Sequence, residues 1–267
     1  MNSFHLMPFE AIAINEVVDS TFPELPGVCG TGFFCHFPPF LQIYYVTARH
    51  CLINAELNSA DNLRVRHSSS PNEYITFSHY FSTGYTNQND NELEDILVFK
   101  VHDRVTSRQK NALLQAALTL PHQDDVEAHI SELQSSKAAK VRVIGFPRGA
   151  DDANQIDYDS ENPQLISQPR GFNGFLQSNN SKLTNRYTID NSNWKLPSYD
   201  GFSGAPVLSM LVPAGVEPSI ARKEDIITVP IGVVLTATSH CTNFLSINVV
   251  TDLIALAINN EIRNGHD

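Results

Sequence analysis

The sequence predicts an all-β fold, built as two strand-rich parts joined by a short helical connector. Three observations predict it. Runs rich in aromatic and β-branched residues fill the first hundred positions, with turn residues between them. Similar runs return after residue 141. Between the two, residues 106–140 hold no Gly and a single Pro, Pro121, among many Ala, Leu, Gln and Lys. Over the whole chain the 15 Pro and 13 Gly are spread out, which favours many short elements over a few long helices. At 267 residues the length is that of one large or two small domains.

The first part, residues 1–105, offers strands at 30–37 and 41–48, with Pro38-Pro39 as the turn between them. Further strands are expected at 62–67, 73–81 and 95–101, with a polar loop at 82–94. So many short strands in one stretch suit an antiparallel barrel or a sandwich. In the connector, Ala112, Leu113, Ala116, Ala117 and Leu120 recur at helical spacing. Val126, Ile130 and Leu133 do so again after Asp124-Asp125, a pair suited to a helix N-terminus. The second part, residues 141–267, opens on a strand at 141–147, followed by a polar loop at 150–164. Strands are then expected at 164–177, 181–190, 205–212, 227–238 and 243–250. The end, 251–265, reads as an amphipathic helix. Thr251 is its N-cap, Leu253, Ile254, Ala257, Ile258 and Ile262 form its apolar face, and Gly265 stops it.

Composition excludes several classes. Apolar residues at 42% and charged residues at 18% describe a globular chain, not a disordered one. A net charge of −11 argues against a nucleic-acid surface. No apolar run is long enough to span a membrane. The first twenty residues carry acids early and lack a basic segment followed by a long apolar one, so they do not read as a signal peptide. A cytoplasmic setting with free thiols is expected for Cys29, Cys35, Cys51 and Cys241. In an oxidising compartment, Cys35 and Cys51 would be the first pair to test. With His36, His50 and His240, these cysteines offer metal donors, but their spacing fits no tight zinc pattern. Neither a metal nor a cofactor is expected.

Three motifs carry chemistry, in the order His, Asp, Ser. His50 lies in VTARHC (46–51), where a strand meets a loop. Asp95 lies in EDILVFKV (94–101) and opens an apolar strand. Ser203 lies in DGFSGAPV (200–207), between Gly201 and Gly204. Taken singly, His50 would be a core histidine and Ser203 a turn serine. Glu94 and Asp90 rival Asp95, but only Asp95 abuts the apolar run. Taken together, the residue types suit nucleophilic catalysis. A serine hydroxyl needs a base to take its proton. A neutral imidazole can take it and return it to a leaving group. A carboxylate fixes the imidazole's tautomer and stabilises its charged form. Glycines let the backbone turn so that the amides of Gly201 and Ser203 converge as an oxyanion hole.

On these residues the chain resembles the chymotrypsin/trypsin-like serine endopeptidases. The matching segments are Thr47-Ala48-Arg49-His50-Cys51, Asp95-Ile96-Leu97-Val98 and Gly201-Phe202-Ser203-Gly204-Ala205-Pro206-Val207. GTGFF (30–34) resembles the strand before the family's His motif, and VIGFP (143–147) a strand and turn of bacterial members such as the glutamyl endopeptidases. The resemblance covers roughly residues 25–260. It implies two antiparallel six-stranded β-barrels with the site in the cleft between them, and a C-terminal helix. It also implies a His50–Asp95–Ser203 triad acting on a protein or peptide substrate through an acyl-enzyme. Activity should then fall in acid as the imidazole takes a proton. An inactive peptide-binding relative, or an esterase or acyl-transferase on the same triad, are the alternatives.

The departures from the family concern activation and specificity. Family members that are activated by cleavage pair a new N-terminus with an Asp just before the nucleophile. Here that residue is Phe202, so activation without N-terminal insertion is expected. The resemblance puts Pro197 at the base of the specificity pocket and Val234, Leu235, Thr236 and Ala237 along its opposite wall. Pro197 cannot bind a basic side chain, which favours an apolar or small polar one, whereas Asp200 on the rim keeps a basic preference open. Many members place a Ser near Leu235 to bond the catalytic Asp, so Asp95 must find other donors. The connector, 106–140, is where a regulatory partner would bind, a solvated linker being the plainer reading.

Overall fold

The computed structural model describes residues 8–17, 27–52, 60–67, 70–82, 95–136, 140–148, 155–157, 164–166, 168–178, 185–211 and 227–264. The first part forms one sheet from β1 (Ile12–Val17), β2 (Gly27–His36), β3 (Ile43–Ala48), β4 (Leu63–His67), β5 (Ser70–Ile75), β6 (Phe77–Ser82) and β7 (Ile96–Val101). A two-residue strand from the connector, β8 (Leu118–Thr119), joins it by running parallel to β2. The order is β5-β4-β1-β2-β3-β7-β6. Its two end strands are consecutive in sequence. Only Thr76 separates β5 from β6, and the Thr76 carbonyl accepts the His102 N–H at 2.9 Å. The polar loop expected at 82–94 lies almost wholly outside the described residues.

β1 is absent from the sequence reading, and its composition explains why. Asn15 and Glu16 interrupt its apolar run, yet both are fully buried. A buried carboxylate is costly unless paired. Glu16 meets Arg66 of β4, whose Nη2 donates to Oε2 at 3.0 Å, and the Tyr74 hydroxyl donates to the same oxygen at 3.1 Å. Burial still raises the carboxyl's pKa above its ordinary value, with Arg66 and Tyr74 opposing the rise.

The connector holds two helices, but the first ends at Ala116, so Ala117 and Leu120 fall outside it and β8 follows instead. α1 (Ser107–Ala116) buries Leu113 and Ala116, and α2 (Gln123–Ser135) buries Val126, Ile130 and Leu133. Thr106 caps α1 reciprocally with Gln109: each side chain bonds the other's backbone N–H.

The second part is a closed barrel of β9 (Val141–Gly145), β12 (Arg170–Leu176), β13 (Arg186–Asp190), β14 (Pro206–Leu211), β15 (Ile227–Ala237) and β16 (Cys241–Ser246). A small hairpin of β10 (Gln155–Asp157) and β11 (Gln164–Ile166) stands where a polar loop is expected. The final helix, α3 (Ile247–Asn264), corrects the sequence reading twice. It begins four residues before Thr251, within residues read as strand. Ser246 accepts the Asn248 N–H at 3.2 Å, which caps the helix there, while the Thr251 hydroxyl donates back to the Ile247 carbonyl. The run Ile247–Val250, β-branched except for Asn248, misleads because all four residues are buried, and burial overrides the strand propensity of Ile247, Val249 and Val250. Leu253 and Ile254 are buried as expected, whereas Ile262 is exposed. Gly265 lies outside the described residues.

Strand alternation divides the core. Phe33, Tyr44, Val46 and Val98 belong to one buried cluster with Val143, Phe172, Phe202 and Val234 of the barrel. Their chain neighbours Phe34, Tyr45, Leu97 and Phe99 fill a second cluster within the first sheet. At its far end α3 returns to the first sheet, where Glu261 pairs with Lys100 of β7 at 2.6 Å.

Candidate active site

His50 lies in a single 3-10 turn, Arg49–Cys51, at the end of β3. Asp95 is the residue before β7, which pairs antiparallel with β3. The strand pairing therefore brings two residues 45 positions apart together. Asp95 holds its neighbour at three points. Its carbonyl accepts the Arg49 N–H at 2.9 Å, its Oδ1 accepts the His50 N–H at 2.7 Å, and its Oδ2 accepts a short bond from His50 Nδ1. The backbone amide of His50 is thus a donor to Asp95 in addition to its ring. The imidazole remains about half exposed and the carboxylate mostly covered, at 46% and 15%. With Nδ1 bonded to the carboxylate, Nε2 is the nitrogen available to a substrate or nucleophile.

Ser203 sits on a loop stitched to β15. Gly204 N–H donates to the Val234 carbonyl at 2.8 Å, and Val234 N–H to the Ala205 carbonyl at 2.9 Å. Opposite β16 the register slips between Val234 and Thr236, so Leu235 is an extra, bulged residue. Its carbonyl accepts the Ser203 hydroxyl at 2.9 Å. The hydroxyl therefore rests on Leu235, not on the imidazole. Ser203 is nevertheless beside the His50 segment: its carbonyl lies 3.8 Å from Cys51 Sγ.

The loop's two glycines are demanded by geometry. Gly201 has φ of +97°, and a Cβ there would lie 2.6 Å from the Phe146 carbonyl. Gly204 has φ of +84°, and a Cβ would lie 2.1 Å from the Thr31 carbonyl. The neighbouring peptides are fixed by their carbonyls: that of Asp200 accepts the Arg148 N–H at 2.6 Å and that of Phe202 the Ala205 N–H at 2.8 Å. In a trans peptide the N–H points away from the C=O. These two peptides carry the N–H groups of Gly201 and Ser203. Among the described residues neither group has an acceptor. Phe202 itself is fully buried, edge-on to Phe172 with ring centroids 5.1 Å apart and 6.3 Å from Tyr199. Burying such a ring contributes roughly 1.5–3 kcal/mol without any charge to desolvate.

The residues expected around a specificity pocket are less uniform. Pro197 and Asp200 are exposed on the loop 191–200. Buried Asn191 ties that loop to the turn after β15, donating to the Thr238 carbonyl at 2.8 Å and accepting the Thr242 hydroxyl at 3.1 Å. Val234 and Leu235 turn their side chains into the core and offer only backbone to the surface. Thr236 is exposed, its hydroxyl accepting from Asn243, and Ala237 is half-buried.

Sequence reasoning misses a buried polar network behind Ser203. Thr31, on β2, donates its N–H to the Ser203 carbonyl at 2.9 Å and its hydroxyl to the Gly201 carbonyl at 2.7 Å. Thr47 and Asn15 in turn hold the Thr31 carbonyl. The one signal for it in the sequence is Asn15, a polar residue inside the apolar run of β1. All four cysteines are free thiols. Burial pushes the Cys29 thiol up to about 12 and those of Cys35 and Cys51 higher still, which disfavours the thiolate form of all three. Among the described residues no group of His, Cys, Asp and Glu could hold a metal ion. No described helix is long and apolar enough to cross a membrane.

No family model matches the chain, and no curated protein does. Among solved structures, the crystal structure of the protease Anisep from Arthrobacter nicotinovorans is similar, with a TM-score of 0.56 and 13% identity. The match covers 91% of this chain and 93% of that one. The chain thus has a protease-like fold, mostly β, with a closed six-stranded barrel beside a second curved sheet.

Proposed function

We propose that the chain is a serine endopeptidase of the chymotrypsin/trypsin-like type. The observation that carries the reading is the His50–Asp95 pair beside a Ser203 loop whose Gly201 and Ser203 amides have no acceptor among the described residues. Asp95 keeps the Nδ1 proton in place, so Nε2 takes the Ser203 proton as the hydroxyl attacks a peptide carbonyl. The amides of Gly201 and Ser203 stabilise the oxyanion. The imidazolium then protonates the leaving amine, and water hydrolyses the acyl-enzyme by the same route in reverse. The Ser203 hydroxyl must first rotate about χ1 from Leu235 to the imidazole, a passage between staggered wells that substrate can drive.

Several finer points belong to this proposal. The N-terminal sheet is the first of two six-stranded barrels, closed by one strand, 70–82, that bends at Thr76 from β4 to β7. The parts are 1–105, 106–140 and 141–267. The aromatic seat of Phe202 replaces an ion pair with a new N-terminus, so the site forms without N-terminal insertion. The substrate is a protein or peptide. Exposed Pro197 supports a preference for an apolar or small polar side chain, and Asp200 keeps a basic one open. The free thiols suit a cytoplasmic setting. A regulatory partner, if one binds, meets the outer faces of α1 and α2.

One observation favours a second reading. The Ser203 hydroxyl held by Leu235 suits a peptide-binding module that no longer cleaves. Labelling with a fluorophosphonate decides between them. The endopeptidase labels, and Ser203→Ala does not; a wild type that stays unlabelled is a binding module.

A further inference from the structure

We infer that Thr31 is a positioning residue for the oxyanion hole, a role that rests on the endopeptidase reading. Thr31 belongs to the first sheet, yet it grips the nucleophile loop of the second part twice. Its N–H holds the carbonyl of Ser203 and its hydroxyl holds the carbonyl of Gly201, the two residues whose amides face the developing charge. The same hydroxyl oxygen accepts the Phe146 N–H at 3.0 Å, which places it between β9's exit and the loop. The Arg148 amide, two residues further on, pins Asp200. The Thr31 hydroxyl therefore joins the exit of β9 to the Gly201 carbonyl, while its backbone N–H holds Ser203.

Thr31 is itself immobilised. It is fully buried, and its carbonyl accepts the Thr47 hydroxyl at 2.7 Å. Asn15 donates to Thr47 Oγ1 at 2.8 Å and accepts the Tyr45 hydroxyl at 2.7 Å. These residues come from β1, β2 and β3, and all are fully buried. A buried network in which every member is satisfied is rigid, and losing one member strands its partners. Without the Thr31 hydroxyl, the Gly201 carbonyl and the Phe146 N–H both lose their partner. Gly201, at φ of +97° and with no side chain, is the position at which the loop can then rotate. Rotation turns an oxyanion donor away while leaving the outer substrate contacts intact. The loss should therefore fall on kcat and spare KM.

Thr31→Val keeps the shape and removes the hydroxyl; Thr31→Ser keeps the hydroxyl. Steady-state cleavage of a peptide substrate and the rate of fluorophosphonate labelling should both fall at least tenfold in Thr31→Val. KM should stay within about threefold, because the interaction weakened is one made only in the transition state, where loss of a whole oxyanion donor costs roughly 10²–10³ in kcat. Thr31→Ser should restore kcat to within about threefold of wild type. A Thr31→Val with unimpaired kcat overturns the inference alone, and so does a Thr31→Ser that loses tenfold, a comparison that stands even if the valine variant does not fold. A wild type that neither labels nor cleaves overturns the endopeptidase reading and this inference with it.

Discussion

Asp95 does three jobs with one residue. Its carbonyl and both carboxylate oxygens are all spent on Arg49 and His50, so the imidazole is held by its backbone as well as by its ring. Asp95→Asn keeps the size and an acceptor for the His50 amide. It offers a donor to Nδ1 where an acceptor is needed, which stabilises the wrong tautomer. Turnover of a peptide substrate by Asp95→Asn should fall by roughly ten-thousand-fold, with melting temperature little changed. A fall of less than tenfold would remove Asp95 from the mechanism.

The elements that carry His50, Asp95 and Ser203 are legible in the sequence because each motif sits where a periodic apolar run begins or ends. His50 follows the run 43–48, Asp95 precedes 96–101, and Ser203 precedes 206–211. Helices α1 and α2 are legible for the same reason, through apolar residues three and four apart. What is not legible depends on partners distant in the chain. β1 hides because Asn15 and Glu16 break its pattern, and partners elsewhere in the chain, among them Thr47, Tyr45, Arg66 and Tyr74, make their burial tolerable. The start of α3 hides because Ile247–Val250 has strand propensity and its cap, Ser246, reads as the end of a strand. The bulge at Leu235 hides because no local residue announces it, although it turns the carbonyl that receives the Ser203 hydroxyl.

At the scale of the whole molecule, burial links stability to pH. Burial lowers the pKa of His67 and of His36 below the ordinary imidazole value of 6.5. The unfolded chain then takes protons that the folded one resists, so stability falls as pH drops below about 6.5, until the folded-state pKa is reached. Glu16 acts with the opposite sign: its raised pKa favours the folded state as pH falls towards 4.5. Thermal melts should show Tm lower at pH 5.5 than at pH 7.5, and His67→Gln, which cannot titrate, should show a smaller difference. An unchanged slope in that variant would remove His67 from the account.

The same two-part architecture frames the central claim, that a nucleophile from one part and a base from the other cut peptide bonds. Digestion of a peptide library by wild type and by Ser203→Ala, read by mass spectrometry, tests it most directly. New termini from the wild type and none from the variant are the expected result. A library left intact by a wild type that takes up fluorophosphonate would contradict the claim and assign the site to ester or acyl-transfer chemistry.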